Sequence, residues 1–516
     1  MSSCRLVSAF AVLSLAAAGL ASRSPAEPGL RVSPGPATWC NPLPLPDYPV
    51  GRLVRDIPNG SAPGRDGLWR VEKTEQFREL ADPSALWFEG KWYLYPSCDM
   101  AWVSDDEGRT WRHQPLNVRD IGYAPTVVRH QGSFLLLASD SDLYRASGPL
   151  GPFEKIGAVQ LPKVAGMPGP TDPMLFSDSD GRLYFYWGCS PRDGIWAVEL
   201  DANDPMRPIG APACVIPFRP DLQPWECLGN WNQNKTTGWL EGAWMTKAGG
   251  RYYLTYSAAG TEYRTYAIGC YVAAGPLGPF HAQKRNPILR STAGLVTGTG
   301  HGCIVAGPRD QLWAFYSVRA GAVHGFERRI GLDVAAIDSK GELYVPEATS
   351  IPQRLPEAGA RIDRPGAAGW LPLNDGEPTF GSSAASNLGG RFAVDNNLVT
   401  WWQPAADDPQ PVLTTHLGLR ATVRAVRIIW RDVGLDTVRG ILPGPFRYRV
   451  EAETGPDRWT TILDRSSSQE DLLIDYRECV PAVATRARLI ILGAPRGITP
   501  AVAEFTVFGV QTPGGG

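Results

Sequence analysis

Three acidic residues occupy matching places in a phrase that recurs along this 516-residue chain. Asp82 lies in ADPSALWFEGKWYLYPS, Asp172 in TDPMLFSDSDGRLYFYWG and Glu241 in EGAWMTKAGGRYYLTYS. His301 takes the same place in GHGCIVAGPRDQLWAFYS. Carboxylates held close together acquire pKa values that move apart, which produces an acid beside a base. An Asp before Pro is by itself a common turn former, so the prediction of acid–base chemistry depends on the repetition.

A fifth copy of the phrase is YAPTVVRHQGSFLLLAS, at residues 123–139. Each copy has a polar or proline-containing start, a short apolar strand, a polar turn and an aromatic-rich second strand. The copies recur every 40 to 70 residues, a spacing typical of four-stranded propeller blades. We therefore predict an all-β fold with a five-bladed β-propeller. Because the innermost strand of a blade starts beside the central axis, the five starts should meet in one funnel.

The two ends of the chain differ from the repeats. Arg5, an apolar run and a small residue at Ala21 are typical of a secretory signal peptide, so we expect a secreted or periplasmic protein. After the last repeat, a stretch rich in proline and glycine predicts a linker, and the alternation in FRYRVEAET predicts a half-buried strand of a β-sandwich or jelly roll. The predicted order is a signal peptide at 1–21, an N-terminal segment at 22–78, the propeller at 79–350, a linker at 351–380 and the module at 381–516.

Charge and cysteine content narrow the classes of partner. The chain has 50 Lys and Arg against 52 Asp and Glu, and the basic residues are scattered, which argues against a surface for nucleic acid or anionic membrane. No apolar stretch approaches the roughly 20 residues of a membrane span. We expect a neutral polar small molecule as the partner. Eight cysteines follow the signal peptide, and we expect buried thiols or one or two disulfides, since none has zinc-ligand spacing.

The repeats within residues 40–350 resemble glycoside hydrolase family 43, whose members are five-bladed propellers that hydrolyse arabinofuranosides and β-xylosides with inversion. The resemblance implies that Asp82 is the general base, that Asp172 adjusts pKa and orientation, and that Glu241 is the general acid. It also implies a neutral oligosaccharide or polysaccharide as substrate and no cofactor for the chemistry. His301 matches a family histidine near the axis and is predicted to contact substrate.

Residues 380–510 resemble a discoidin domain of the coagulation factor 5/8 C type, the fold of family 32 carbohydrate-binding modules. VDNNLVTWW resembles the opening motif of that fold, with Asn396 where the motif has glycine, and AEFTVFG resembles its closing strand. Asn tolerates left-handed backbone angles, so the turn can form. The resemblance implies carbohydrate binding and a candidate structural calcium site, whose oxygen ligands would come from Asp395, Asn397, Thr400 and Glu504.

Further aromatic and basic residues are candidates for contacts with sugar. Trp102, Trp239 and Arg328 are predicted to bind substrate by ring stacking or through hydroxyl groups. The alternative for each is structural, blade core for the tryptophans and an ion pair for the arginine. The insertion at 217–239 carries three tryptophans and is predicted to wall the funnel, so that only a chain-terminal sugar enters. Its alternative is that the tryptophans pack beneath a surface loop.

The sequence therefore predicts a secreted inverting exo-glycosidase that removes terminal α-L-arabinofuranosyl or β-D-xylosyl units from plant-type polysaccharides or oligosaccharides. A sialidase is one alternative, because SDDEGRTW at residues 104–111 matches the Asp-box. The Asp-box is a turn that stabilises blades, it occurs once, and the set of three arginines that binds a carboxylate is missing. A propeller lectin with a degenerate site is the other alternative, and the intact set of Asp82, Asp172 and Glu241 argues against it.

Overall fold

The computed structural model describes most of the chain outside its two ends and one internal stretch, in the ranges 38–50, 76–97, 99–139, 141–355 and 367–512. The predicted signal peptide at 1–21 lies outside the described residues. Strand β1 is Thr38–Trp39. The described helices are three short 3-10 turns, at Pro224–Glu226, Pro308–Asp310 and Gly390–Ala393. All other regular elements of the described residues are strands.

The first three repeats form three antiparallel sheets. Blade 1 consists of β2 to β5, at Ser84–Phe88, Lys91–Tyr95, Met100–Ser104 and Arg112–Pro115. Blade 2 consists of β6 to β9, at Thr126–His130, Ser133–Leu137, Leu143–Ala146 and Glu154–Gly157. The next five strands, β10 to β14, are Met174–Ser177, Leu183–Trp187, Cys189–Ser190, Ile195–Leu200 and Pro208–Ile216. All but β12 form blade 3.

The last two repeats complete the propeller. Blade 4 consists of β15 to β18, at Leu240–Ala248, Arg251–Ala258, Ala267–Ala273 and His281–Ala282. Strand β12 pairs with β15 and adds a fifth strand to this sheet. Blade 5 consists of β19 to β22, at Gly302–Ala306, Leu312–Arg319, Arg328–Ile337 and Leu343–Tyr344. The innermost strands β2, β6, β10, β15 and β19 contact one another in a closed ring. This arrangement confirms the prediction of an all-β chain with a five-bladed propeller.

Burial on both faces explains the apolar runs of the repeats. The sequence of β11 is LYFYW and every residue is buried, while β3, with sequence KWYLY, is buried at all positions but the first. A strand held between two neighbouring blades has no solvent face, so its residues are apolar in succession. Trp92 of blade 1 meets Phe315 of blade 5 edge to face, with ring centroids 5.1 Å apart. Such aromatic pairs join the first blade to the last.

A C-terminal β-sheet module follows the propeller. Strand β23 at Gln353–Arg354 pairs with β1. Strands β24 to β30 are Leu371–Pro372, Thr379–Gly381, Val412–Val433, Arg447–Gly455, Arg458–Asp464, Ile474–Gly493 and Thr499–Gln511. Their order is β24-β30-β26-β29-β27-β28, with β25 on β26. Strands β23 and β24 fall within the range predicted as a linker, so part of that range belongs to sheets.

An N-terminal strap, residues 38–50 and 76–80, lies against both the propeller and the C-terminal module. Arg78 of this strap is buried and forms ion pairs with Asp432 Oδ2 at 2.9 Å and with Asp471 Oδ2 at 2.7 Å, both in the module. Removing one partner of a buried ion pair leaves an uncompensated charge, which costs about 3–5 kcal/mol. The strap therefore contributes to the stability of both parts.

The seven described cysteines are all free thiols. Four of them are buried, two are half-buried, and Cys214 is exposed. Cys98 lies outside the described residues. The expectation of buried thiols therefore describes this part of the chain better than the expectation of disulfides. No helix in the described ranges has the length and hydropathy that a bilayer span requires.

Candidate active site

One residue at the start of each blade has a left-handed backbone conformation. The angle φ is 49° at Asp82, 49° at Ala124, 53° at Asp172, 60° at Gly242 and 35° at His301. These five are the head residues. Left-handed angles cost a non-glycine residue about 1–3 kcal/mol and persist where surrounding contacts hold them. All but the glycine line one cavity at the propeller axis, so the starts of the repeats meet as predicted.

Serine hydroxyls hold four of the head residues in place. The N–H of the head residue donates to the Oγ of a serine that ends the preceding repeat, in the pairs Asp82 with Ser317, Ala124 with Ser97, Asp172 with Ser139 and His301 with Ser257. The third repeat ends in Gly188 instead of serine. The N–H of Gly242 donates to Asp172 Oδ2 at 3.3 Å. This exception links the third and fourth blades through a carboxylate.

Asp82 is buried, and each of its carboxylate oxygens has its own donor. Oδ1 accepts from Arg328 Nη1 at 2.7 Å, and Oδ2 accepts from Ser97 Oγ at 2.7 Å. Burial by itself would raise the pKa of Asp82, but the positive charge of Arg328 and the contacts with His301 and Ser97 outweigh burial and hold that pKa below its usual value. Asp82 is therefore ionised near neutral pH and can accept a proton.

Glu241 is the second residue of β15 and lies beside a β-bulge. The register of β15 against β16 slips between Glu241 and Trp244, and such a bulge re-aims a side chain. Oε1 accepts from the Tyr266 hydroxyl, and Oε2 accepts from the Cys189 thiol at 3.3 Å. Burial raises the pKa of Glu241 to about 7; the Tyr266 hydrogen bond opposes this rise and the Asp82 charge adds to it. Glu241 can therefore donate a proton in mildly acidic solution.

Asp172 lies beside Glu241. One oxygen of each carboxyl group and the sulfur of Cys189 all lie within 4.8 Å of one another. Burial raises the pKa of Asp172 well above its usual value, and the charges of Glu241 and Asp82 raise it further. A raised pKa favours the protonated, neutral form of Asp172, which reduces the repulsion among the three carboxyl groups at the axis.

His301 lies between the two aspartates. Its Nδ1 is 3.2 Å from Asp82 Oδ1 and 3.7 Å from Asp172 Oδ2. Burial lowers the pKa of His301, and the charge of Asp82 opposes that effect. A Cβ atom added at Gly242 would lie 2.8 Å from the His301 ring, so the position requires glycine. The structure thus brings His301 to the predicted cluster, where its contact with substrate stays a prediction.

The charge states of this cluster suit acid–base catalysis. The pKa of one carboxyl is held below its usual value, that of the second is raised to about 7, and that of the third is raised well above its usual value. A raised pKa alone does not identify an acid, because Glu226 is also buried, accepts from the Tyr256 hydroxyl at 2.5 Å and has a pKa raised to about 7. The feature that sets Glu241 apart is its place beside two other carboxyl groups at the axis.

Two of the predicted substrate contacts have other roles. Trp102 is fully buried in β4 and its indole N–H donates to Pro46 O at 2.7 Å, so the prediction that it binds substrate is wrong. The sequence pattern could not separate a loop tryptophan from one in a strand buried on both faces. Arg328 is also buried, and it pairs with Glu79 Oε1 at 2.6 Å and with Asp82 Oδ1 at 2.7 Å. These partners are Asp82 of the site and Glu79 of the N-terminal strap, and the contact of Arg328 with substrate stays a prediction.

The three tryptophans of the 217–239 insertion differ in environment. Trp225 is buried in the propeller core, as the structural alternative predicted. Trp231 is 77% exposed, with the Arg264 guanidinium 4.2 Å from its ring centroid. Trp239 is half-buried. Only the last two therefore remain candidates for a wall of the funnel.

Sequence reasoning missed the residues that surround Glu241. Tyr266 lies 25 residues beyond Glu241 in the chain, in no repeat phrase, and no pattern pointed to it. Cys189 follows directly after the third phrase, and the sequence predicts for it only a buried thiol or a disulfide. The sequence does contain a signal for the serines that hold the head residues, because four of the five phrases end in serine.

The residues predicted to hold calcium lie close together in the C-terminal module. The Thr400 hydroxyl donates to Asp395 Oδ2 at 2.8 Å, and the N–H of Asn397 donates to Asp395 Oδ1 at 3.1 Å. Glu504 is buried, and burial raises its pKa to about 8. Carboxylate, amide and hydroxyl oxygens suit a hard cation, which would also compensate the buried carboxylate. Asn396 has φ of 55°, as the predicted turn requires.

Comparisons with known proteins cover the propeller. The profile of the family described as glycosyl hydrolases family 43 matches residues 71–342. A β-D-galactofuranosidase of Aspergillus niger is 25% identical in an alignment of 275 residues, and the match covers 46% of this chain and 74% of that protein. A β-xylosidase of Xylanibacter ruminicola is 26% identical in an alignment of 285 residues, and the match covers 42% of this chain and 82% of that protein. A solved thermostable family-43 glycoside hydrolase aligns with 55% of this chain and 96% of its own, at 24% identity and a TM-score of 0.45.

Proposed function

This chain belongs to glycosyl hydrolases family 43, whose profile spans residues 71–342, and on that premise we propose that it is an inverting exo-glycosidase that releases terminal α-L-arabinofuranosyl or β-D-xylosyl units. One observation carries the proposal: three carboxyl groups from different blades share one buried cluster, and their pKa values move in different directions. An ionised base beside a protonated acid is what single-displacement hydrolysis of a glycoside requires.

The proposed reaction has one displacement step. Asp82 takes a proton from a water molecule while the water oxygen bonds to the anomeric carbon, on the face opposite the leaving group. The bond from that carbon to the glycosidic oxygen breaks, its electron pair stays on the oxygen, and Glu241 gives that oxygen a proton. Asp82 ends protonated, Glu241 ends ionised, and the configuration at the anomeric carbon is inverted.

The neighbours of the two carboxyl groups support these roles. Arg328 keeps Asp82 ionised, so that it can accept the proton of water. Burial keeps the pKa of Glu241 at about 7, so that it is protonated in mildly acidic solution. Asp172 receives the N–H of Gly242 and lies beside Glu241, which suits an orienting role. His301, beside both aspartates, is proposed to contact the sugar.

The choice of sugar rests on the relatives. The names of three of them indicate a β-D-galactofuranosidase, a β-xylosidase and a xylosidase/arabinosidase. Aryl derivatives of α-L-arabinofuranose, β-D-xylose and β-D-galactofuranose therefore form the first test panel. Exo-action is proposed on the prediction that Trp231 and Trp239 wall the funnel, and monosaccharide should be the first product from an oligosaccharide. Mixed oligosaccharides at early times would contradict exo-action.

Stereochemistry tests the proposed displacement. Proton NMR during hydrolysis of the best aryl glycoside should show the inverted anomer first, followed by slow mutarotation. A first product of retained configuration would contradict the mechanism, since retaining enzymes have their two carboxyl groups only about 5–5.5 Å apart, against about 6.5–9.5 Å in inverting ones. Absence of hydrolysis with every glycoside, together with retained sugar binding, would favour the lectin alternative.

Substitutions test the two roles. Asp82→Ala should lower kcat on every substrate by about 10²–10⁴-fold, because no other group activates the water. Glu241→Gln should affect poor leaving groups far more than nitrophenol, which leaves without a proton. Glu226→Gln is the matched control, since Glu226 is also a buried glutamate bonded by a tyrosine and has a pKa raised to about 7. Equal losses for both leaving groups in Glu241→Gln would show that Glu241 is not the acid.

The C-terminal module is proposed to be a discoidin-type carbohydrate-binding domain of a secreted or periplasmic enzyme. Asp395, Asn397, Thr400 and Glu504 would hold a calcium ion there, and the ion would stabilise the loop at Asn396. Calcium should raise the unfolding temperature of the wild-type chain and not that of Asp395→Ala. Binding of polysaccharide by an Asp82→Ala chain tests the carbohydrate-binding role.

A further inference from the structure

A break in the repeat places Cys189 beside Glu241. In the third repeat Gly188 stands where four other repeats have serine, and a Cβ atom there would lie 2.5 Å from Gly194 O. The chain leaves blade 3 at this point, and the short strand β12 pairs with β15 of blade 4. In that pairing Cys189 lies directly across from Glu241. Residues paired across two strands have neighbouring side chains.

The thiol of Cys189 has a defined partner. Its S–H donates to Glu241 Oε2 at 3.3 Å. Burial raises the pKa of this thiol well above its usual value, and the nearby Asp172 and Glu241 charges raise it further. Cys189 is therefore a neutral hydrogen-bond donor near pH 7 and no nucleophile.

We propose that Cys189 is a positioning residue for the general acid, which fixes the Oε2 oxygen of Glu241 and sets how readily that carboxyl holds its proton. This inference rests on the acid role proposed above for Glu241. A thiol is a weak donor, so it orients the carboxylate without stabilising its charge strongly. A hydroxyl in the same place would stabilise the ionised form more and would lower the pKa of Glu241.

Other charged and titratable groups also act on Glu241. Tyr266 donates to Oε1, the negative charge of Asp82 raises the pKa of Glu241, and the positive charge of Arg328 lowers it. One oxygen of Asp172 lies within 4.8 Å of a Glu241 oxygen. A Cβ atom on Gly242, the residue after Glu241, would lie 2.8 Å from the His301 ring. Substitution of Cys189 leaves all five groups in place, so a change in the titration of Glu241 would report the thiol alone.

The test compares Cys189→Ser with Cys189→Ala. The serine hydroxyl should move the basic limb of kcat/KM against pH downward, and loss of the donor in the alanine variant should move it upward, each by about half a pH unit to one pH unit. The alanine variant should also lose more activity on a poor leaving group than on nitrophenol. Cys270→Ala, which removes a buried thiol that donates to Tyr271 O, is the matched control and should shift nothing.

A second readout separates this inference from the proposed function. Carbon-13 NMR of the glutamate carboxyls, with the Glu241 signal identified by its loss in Glu241→Gln, follows the titration whether or not the protein is active. Opposite shifts in the two Cys189 variants support the inference, and the serine variant alone decides if the alanine variant does not fold. An unmoved titration, or shifts in the same direction, would overturn it. If the wild type is inactive but the Glu241 titration shifts in opposite directions in the two Cys189 variants, the enzyme role is refuted and the contact of the thiol with Glu241 is still supported.

Discussion

Arg328→Met is expected to narrow the pH range in which the protein can hydrolyse a glycoside. Arg328 places one nitrogen 2.7 Å from Asp82 Oδ1 and another 2.6 Å from Glu79 Oε1, and all three side chains are buried. With about 4 Å between charge centres and an effective dielectric constant of about 20, one such pair contributes about 4 kcal/mol. About 1.4 kcal/mol corresponds to a tenfold change in ionisation, so the acid limb should move upward by about two to three pH units.

The protonation states of the two carboxyl groups determine the direction in which the acid limb moves. The active form has Asp82 ionised and Glu241 protonated, so the rate falls at low pH with Asp82 and above about pH 7 with Glu241. Without the Arg328 guanidinium, burial dominates and Asp82 holds its proton to higher pH. The two limbs then approach each other, and kcat/KM at pH 5 should fall by about ten- to a hundredfold.

The assay is kcat/KM against pH on a nitrophenyl glycoside, with urea unfolding of the same preparations. Arg329→Met is the matched control, because Arg329 is also buried but pairs with Glu327 at 2.9 Å. Loss of a buried ion-pair partner should cost both variants about 3–5 kcal/mol of unfolding free energy. Only Arg328→Met should move the acid limb. An acid limb that stays in place, or moves equally in both variants, would refute the reasoning.

Three further predictions concern stability and substrate. Arg78→Met should lower the free energy of unfolding in urea by about 3–5 kcal/mol, because Asp432 loses a buried partner, and an unchanged value would contradict the role of the strap. Gly188→Ala should cost about 1–3 kcal/mol and weaken hydrolysis, because its Cβ would meet Gly194 O, whereas wild-type stability and rate would disprove the strain. Trp231→Ala, at a 77% exposed site, should change stability by less than about 0.5 kcal/mol yet raise KM for oligosaccharides; an unchanged KM would remove Trp231 from the funnel wall.

The sequence alone determined the propeller and the identity of the clustered carboxyl groups. Five phrases of one pattern require five equivalent hairpins, and equivalent hairpins in a ring bring equivalent residues to the axis. For this reason the sequence alone predicts that Asp82, Asp172 and His301 lie together. Local information was sufficient here because each repeat carries its own strand, turn and strand pattern.

Tertiary structure alone decided what surrounds those groups. The contacts of Glu241 with Cys189 and Tyr266 depend on the path of β12 and on a loop outside the repeats, and the pairing of Arg328 with Asp82 joins residues 246 positions apart. Trp102 likewise could be identified as core only once its strand was seen to be buried on both faces. A hydrogen bond depends on a few tenths of an ångström between segments distant in the chain, and local sequence patterns do not specify such distances.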